Sequence, residues 1–285
     1  MRFTTFLPAV LLSCAGFMGA SATVHAGTLD DILKRGELRV AIQTQGPPFS
    51  MVNKKGERTG SSVELAKLMA QEMGVKVVFL DLDWDGLLPA LISGKADLLA
   101  ADMTPTLARA TKVAFTKPWI FIGPVVATKE GTKFVSAAAC KAPGAKIAVL
   151  FGSTGEKLAK TLFPAGEIKS YKGGGTLLLD AVKNGQADCL LNDNTAVAGQ
   201  AAGYPKGTFK VMPELLAKES LAYATRYDSM DLLTWVNLFI DQTTLTVACK
   251  RTWTTGLTLR NGKTTTSHLM RGERRRACQY AASQT

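Results

Sequence analysis

An arginine and two aspartates follow apolar segments of this sequence, where polar side chains could hold a small ionic molecule. Arg109 comes shortly after an apolar segment that ends at Asp102, and a second such segment ends at Asp193. A guanidinium is a planar donor that can bind a carboxylate through two hydrogen bonds, and an aspartate accepts from an ammonium group. Together they suit the two poles of a zwitterion. The residues alone leave open a solvated helical position for Arg109 and a turn-capping role for Asp102.

A glycine-rich turn, Gly152-Ser153-Thr154-Gly155, provides a further candidate site. It follows the predicted strand 146–150 and begins a predicted helix. Free amides at a helix N-terminus attract an anion, most simply a carboxylate. The signal is weak by itself, because serine and threonine commonly begin helices as simple caps.

Two segments of the chain resemble each other and indicate a repeated unit. "ALISGKADLLAAD" covers Ala90–Asp102 and "AVKNGQADCLLND" covers Ala181–Asp193, with six of thirteen positions identical. Each predicts the end of a helix, a glycine stop and a short apolar strand. Another predicted strand lies upstream of each, in "GELRVAIQ" and "GAKIAVLF". We therefore expect two related lobes.

Amphipathic helices are predicted between these strands, over Ser62–Met73, Ser153–Leu162 and Thr176–Asn184. Strands that alternate with helices at this spacing indicate parallel α/β sheets. Ligands of such sheets bind beyond the carboxyl ends of the strands, where both aspartates are expected to lie. Phe49 and Phe115 are predicted to belong to the core.

The N-terminus is predicted to be a cleaved export signal. Arg2 precedes an apolar stretch, "FLPAVLLSCAGFMGA", and small residues lead to a plausible cleavage site after Ala26. The apolar stretch is too short to span a bilayer. Residues 1–26 are therefore assigned to a signal peptide and the protein to the periplasm. A lipoprotein anchored through Cys14 is the less favoured alternative.

The remaining cysteines predict no metal or redox site, and we expect no cofactor. Cys189 lies in an apolar run and is predicted to be a core residue. Export would permit a disulfide between Cys140 and Cys189, and the sequence does not decide whether it forms.

The formal net charge of +11 is concentrated in one part of the chain. Residues 245–285 contain eight lysines and arginines against a single acid, Glu273, so the remainder is only mildly basic. This distribution disfavours nucleic-acid binding. The tail is rich in threonine and has no helical period, and back-translation in a neighbouring frame permits a polar, amphipathic continuation. We predict that 245–285 is an aberrant tail produced by a frameshift near Thr244; a genuine basic tail for anionic partners is the rival.

Several stretches resemble the periplasmic solute-binding proteins for polar amino acids of ABC importers. They are "LKRGELRVAIQTQGPPFS", "WDGLLPALISGKADLLAADMTPTLARATKVAFTKPW", "GSTGEKLAKTL" and "GQADCLLNDNTAV", within a similarity over roughly residues 29–244. The resemblance implies a type II fold, in which two Rossmann-like α/β lobes are joined by two hinge strands. We expect the first lobe over 27–125, the second over 126–219, and a return to the first over 220–244.

The resemblance also implies how a ligand is held at its two poles. Arg109 is similar to the arginine that binds the α-carboxylate, and Ser153 and Thr154 to the helix-start residues that complete that site. Asp193 is similar to the acid that binds the α-ammonium. This agrees with the zwitterion argument made from the residues themselves.

Further positions match the walls of the family's binding site. Ala101 and Thr104 resemble strand-end residues that contact the ligand, and Trp84 and Leu150 resemble wall residues of the first and second lobe. Three departures affect the choice of ligand, and one of them is Ser61, where an aromatic residue usually follows Gly60. Gly46 stands where an aromatic residue is common, and Asp102 replaces a small residue, so that it could contact the ammonium or a cationic side chain.

These expectations describe a monomeric binding protein without catalysis, which captures an amino acid and delivers it to an ABC transporter permease. The alternative is an enzyme on the same fold, such as a dehydratase of a small carboxylate, with Asp102 and Asp193 as the acid–base pair. A receptor's sensory domain is less favoured. The sequence does not identify the amino acid.

Overall fold

The structure, a computed structural model, describes residues 27–43, 45–53 and 55–243. The predicted signal peptide, Cys14 and the predicted frameshifted tail lie outside these residues. No helix in the described part is long and apolar enough to cross a bilayer.

The first lobe is built on a sheet in which strand order and chain order differ, as in doubly wound folds. Its order is β4-β1-β5-β13-β6, and β7 also pairs with β13. β1 is parallel to β4 and β5, whereas β13 is antiparallel to β5, β6 and β7. The strands are β1 (Glu37–Gln43), β4 (Lys76–Leu82), β5 (Leu98–Met103), β6 (Ala114–Phe115), β7 (Ile120–Ile122) and β13 (Glu219–Thr225). A small hairpin, β2 (Met51–Val52) with β3 (Arg58–Thr59), lies outside this sheet.

Helices cover this sheet because their apolar residues recur at helical spacing. In α2, Val63, Ala66 and Met69 are fully buried against β1 and β5. The same core cluster also contains residues of α1 and of the last helix. A second cluster packs α3 onto the same sheet through Leu87 and Leu91. The helices are α1 (Thr28–Arg35), α2 (Ser61–Glu72), α3 (Trp84–Ile92), α4 (Leu107–Ala110) and α8, described over 230–243.

The second lobe repeats this plan with the strand order β10-β9-β11-β8-β12. β9 is parallel to β10 and β11, and β8 is antiparallel to β11 and β12. Its elements are β8 (Pro124–Lys129), the 3-10 turn Ala139–Lys141, β9 (Lys146–Leu150), α5 (Thr154–Leu162), β10 (Glu167–Tyr171), α6 (Leu177–Lys183), β11 (Cys189–Asp193), α7 (Asn194–Ala201) and β12 (Phe209–Val211).

Two chain crossings join the lobes. The first runs from β7 through Gly123 into β8, and the second returns through Glu219 at the start of β13. The adjacent register pairs Glu219 with Ile122, so the two crossings lie side by side. The predicted fold, two α/β lobes joined by two hinge strands, is confirmed.

The repeated segments form the predicted units. Each consists of a helix, a glycine and a strand, and Gly94 and Gly185 both have a φ of 73°, which favours glycine. Cys189 is buried as predicted, and it also forms a disulfide with Cys140 inside the second core. The pairing that the sequence left undecided is therefore present.

Candidate functional site

A cleft between the lobes lies at the carboxyl ends of β1, β5, β9 and β11. It encloses about 790 Å³ of non-protein space, part of it open to solvent. Of the nine site residues predicted from the sequence, eight line it: Trp84, Ala101, Asp102, Thr104, Leu150, Ser153, Thr154 and Asp193. The ninth, Arg109, lies next to the cleft and not in its lining.

Arg109 connects the two lobes. Thr106 caps α4 by accepting from the Arg109 amide at 3.2 Å, which fixes the base of the side chain. The guanidinium then donates to the carbonyl oxygens of Thr104 (2.7 Å) and Gly152 (3.0 Å), one in each lobe. It also lies 5.4 Å from the centre of the Trp84 ring. Burial lowers the pKa of Arg109, and the negative charges of Glu219 and Asp193 oppose this shift.

Glu219 is a site residue that the sequence did not indicate. Its carboxylate accepts from the hydroxyls of Thr104 (2.8 Å) and Thr154 (2.9 Å), which belong to different lobes. Its position at the hinge follows from the pairing of β13 with β7. The only sequence signal was an acid at the start of an apolar strand, which is too common to indicate a site.

The glycine-rich turn forms a capped helix start, as the sequence suggested. Gly152 has a φ of 73°, and Ser153 caps α5 by accepting from the amide of Glu156 at 3.1 Å. Gly155 lines the cleft in the first turn of α5. The first amides of a helix have no intrahelical acceptor, so this turn presents donors to the cleft.

Asp193 presents an acid to the same cleft. It precedes α7 without capping it, and no donor in the described part of the chain contacts its carboxylate. Burial raises the pKa of Asp193 to about 7; repulsion from Glu219 adds to this rise and attraction to Arg109 opposes it. A cationic group that entered the cleft would find an acceptor with unused capacity.

Comparison with known proteins gives the family of this chain. Residues 38–251 match the bacterial extracellular solute-binding proteins, family 3. The chain belongs to this family. The family predicted from the sequence is therefore confirmed.

Individual relatives are similar over most of their length. A probable amino-acid ABC transporter-binding protein of Haemophilus influenzae is 28% identical over 242 residues, covering 85% of this chain and 91% of the relative. The crystal structure of the ancestral amino acid-binding protein AncCDT-1, a precursor of cyclohexadienyl dehydratase, is 35% identical with a TM-score of 0.68, covering 77% and 94%. A mutant of arginine-bound ArgBP from T. maritima is 27% identical with a TM-score of 0.70, covering 75% and 99%.

Asp102 is a second acidic residue in the lining of the cleft. It lies in β5 with a φ of 55° and is 8% exposed. The Ser62 hydroxyl, on α2, donates to its carboxylate at 2.7 Å and lies 3.3 Å from the Tyr223 hydroxyl. Burial raises the pKa of Asp102 to about 8, although the hydrogen bond from Ser62 opposes the rise. The turn-capping alternative is thus wrong, because the side chain contacts a helix and not the turn.

The walls combine expected and unexpected residues. Trp84 and Leu150 face the cleft from opposite lobes. Phe49, predicted to be in the core, is buried against Trp119 and also lines the cleft, as does Gly46. Phe115 packs against the core of α3 and β5 as predicted. Ser50 lines the cleft as well; it is 1% exposed, and its hydroxyl has no hydrogen-bond partner in the described part of the chain.

Proposed function

We propose that this protein captures an amino acid in the periplasm by its α-carboxylate and α-ammonium and delivers it to an ABC transporter permease. The observation that supports this most is the arrangement around the cleft. Among the described residues the Asp193 carboxylate has no donor, while the hydroxyls of Thr104 and Thr154, now bound to Glu219, and the start of α5 can supply donors to the same space. A zwitterion is the small molecule that complements both.

Ligand binding would exchange hydrogen bonds at this site. Glu219 now accepts from the two threonine hydroxyls, and Arg109 donates to the carbonyls of Thr104 and Gly152. We propose that the ligand carboxylate replaces Glu219 as the acceptor of the two threonine hydroxyls. Arg109 then leaves the Gly152 carbonyl and donates to the ligand carboxylate. The ammonium then contacts Asp193, and the lobes close over both charges.

A thermal-shift screen of the purified chain against the twenty amino acids tests the proposal. Ligand at 1,000 times its Kd should add about 4 kcal/mol to the free energy of unfolding. For the amino acid with the largest shift, Arg109→Ala and Asp193→Asn should each weaken binding by about 2–5 kcal/mol, because each leaves one buried charge unpaired. Lys112→Ala, at an exposed position near Arg109, is the control. Unchanged affinity in both site variants would contradict the proposal.

Export and delivery need measurements in cells. We propose that residues 1–26 are removed as a signal peptide, so N-terminal sequencing of the periplasmic protein should begin near Gly27. Deleting the gene should abolish high-affinity uptake of the same radiolabelled amino acid. A mature protein that keeps residues 1–26, or uptake that persists unchanged, would refute these steps.

An enzyme on the same scaffold is the second candidate, favoured by one observation. Asp102 and Asp193 both line the cleft, with pKa values raised to about 8 and about 7, as acid–base residues often have. AncCDT-1, one of the similar structures, is described as a precursor of a dehydratase. Turnover of a cyclohexadienyl carboxylate, lost in Asp193→Asn, would support the enzyme; no turnover together with tight amino-acid binding supports the transport protein.

A further inference from the structure

Two further polar side chains that line the cleft, Asp102 and Ser50, are not used by the two poles of an amino acid in the proposed complex. The poles are met at Thr104, Thr154 and Asp193, whereas Asp102 and Ser50 lie on the first lobe among the other lining residues. Both side chains are more than nine-tenths buried. Both buried polar side chains therefore require a separate explanation.

Acidic side chains outnumber basic ones around the cleft. Within the described part of the chain, two carboxylates line the cleft, at Asp102 and Asp193, and no lysine, arginine or histidine does. Arg109, next to the lining, offers one positive charge, and Glu219 adds a further acid beside it. The ammonium of a zwitterion would contact Asp193 and leave Asp102 without a cationic partner.

Asp102 lacks the partners that normally make a buried carboxylate stable. A single hydroxyl, that of Ser62, donates to it in the described part of the chain, and no basic side chain forms an ion pair with it. The Ser50 hydroxyl has no partner at all there. Burying an unpaired carboxylate costs several kcal/mol, and buried hydroxyls are nearly always hydrogen-bonded.

The backbone at Asp102 is also strained. A φ of 55° is uncommon for a residue with a side chain, and such strain of order 1–3 kcal/mol concentrates at ligand sites. Local structure gives no reason for an aspartate here, since its side chain caps neither a helix nor a turn. A ligand group that completes its contacts would supply the reason.

We propose that Asp102 determines specificity by binding a second, cationic group at the end of the ligand side chain, so that the protein selects basic amino acids. The proposal rests on the function proposed above and adds the class of ligand. A guanidinium or ammonium brings several donors, enough for Asp102 and Ser50 together. Phe49 supplies an aromatic wall of the same cleft, a favourable surface for a cation.

Isothermal titration calorimetry with L-arginine and L-citrulline tests the proposal, because citrulline replaces the guanidinium by a neutral group of similar shape. The wild-type chain should bind arginine at least 30-fold more tightly. Asp102→Asn should reduce this preference to less than about threefold, mainly by weakening arginine. Equal affinities in the wild type would overturn the proposal, and this result needs no variant to fold.

Asp193→Asn separates this proposal from the general function. It should weaken arginine and citrulline by similar factors, because both carry the α-ammonium. If it does so while Asp102→Asn weakens them equally too, the ligand class is wrong and amino-acid binding stands. If Asp193→Asn weakens neither ligand, the proposed pole contacts fail, and the specificity proposal fails with them. Ser50→Ala should lower the arginine affinity by a smaller factor and leave citrulline nearly unchanged.

Discussion

Gly199 marks a place where the two lobes touch outside the proposed ligand contacts. It lies in α7 of the second lobe, and a β-carbon built on it would be 2.7 Å from the carbonyl oxygen of Pro47 in the first lobe. Ordinary contacts begin at 3.4 Å, so Gly199→Ala requires the lobes to separate here by about 0.7 Å. The obstacle is backbone, which cannot move aside as a side chain could.

The expected loss of affinity follows from the hydrogen bonds that cross the cleft. The Trp84 amide donates to Gly173 at 3.3 Å, and in the proposed complex the ligand carboxylate joins Arg109 of the first lobe to Thr154 of the second. Such bonds contribute about 0.5–3 kcal/mol each, the larger values with charged donors. If the separation weakens both by roughly half, binding loses about 1–2 kcal/mol, or roughly 5- to 30-fold in Kd.

The same substitution should not destabilise the second lobe. Alanine is better than glycine inside a helix by up to about 1 kcal/mol, so the ligand-free melting temperature should stay or rise. Calorimetry with the best amino acid of the screen measures Kd, and small-angle X-ray scattering measures closure. Gly203→Ala is the matched control, because its β-carbon would meet only Gln200 of its own lobe, at 3.4 Å. An unchanged Kd in Gly199→Ala would show that the contact between α7 and Pro47 does not form in the ligand complex.

Four further outcomes are expected. Glu219→Ala should tighten binding of an amino acid by about 5-fold or more, because the hydroxyls it now occupies become free; weaker binding in calorimetry would show that Glu219 contacts the ligand. Affinity should fall about fivefold between pH 7 and pH 6, because Asp193, with a pKa of about 7, must be ionised to bind an ammonium; a flat profile would contradict this role. Folding raises the pKa of Asp102 to about 8, so this residue stabilises the folded state most at a pH below its unfolded pKa. Between pH 4 and pH 8 only the unfolded state is ionised, and the free energy of unfolding should therefore fall by about 1.4 kcal/mol for each pH unit. Asp102→Asn should remove that slope in urea titrations, and an identical slope would exclude Asp102 as its source. Finally, replacing Cys140 and Cys189 by alanine should cost about 4 kcal/mol, since their bond closes a loop over a separation of 49 residues; a loss below 1 kcal/mol in urea unfolding would refute it.

Local patterns predicted the fold because they agree with the tertiary structure. Gly94 and Gly185 end their helices where the sequence predicts a glycine stop, and α2 buries the apolar face that the spacing of its residues defines. Asp193 could be placed at the cleft for the same reason, since a residue that ends a parallel strand lies at the ligand edge of the sheet.

The other features depend on contacts between distant parts of the chain. Glu219 reaches the cleft only because β13 returns beside β7, which no local pattern specifies. Arg109 was expected to face the cleft, and its contact with Gly152 depends on how the lobes close. The partners of Asp102, Ser62 and Tyr223, come from α2 and β13, so the burial of its carboxylate was equally beyond local reasoning.

The central claim is that one cleft binds the two opposite poles of an amino acid at once. The direct measurement is calorimetry of the wild-type chain with the best amino acid of the screen, with its decarboxylated amine and with its deaminated acid. The decarboxylated amine and the deaminated acid should each bind at least 30-fold more weakly than the amino acid, a difference of about 2 kcal/mol or more. An amine or an acid that binds within threefold of the complete amino acid would contradict it.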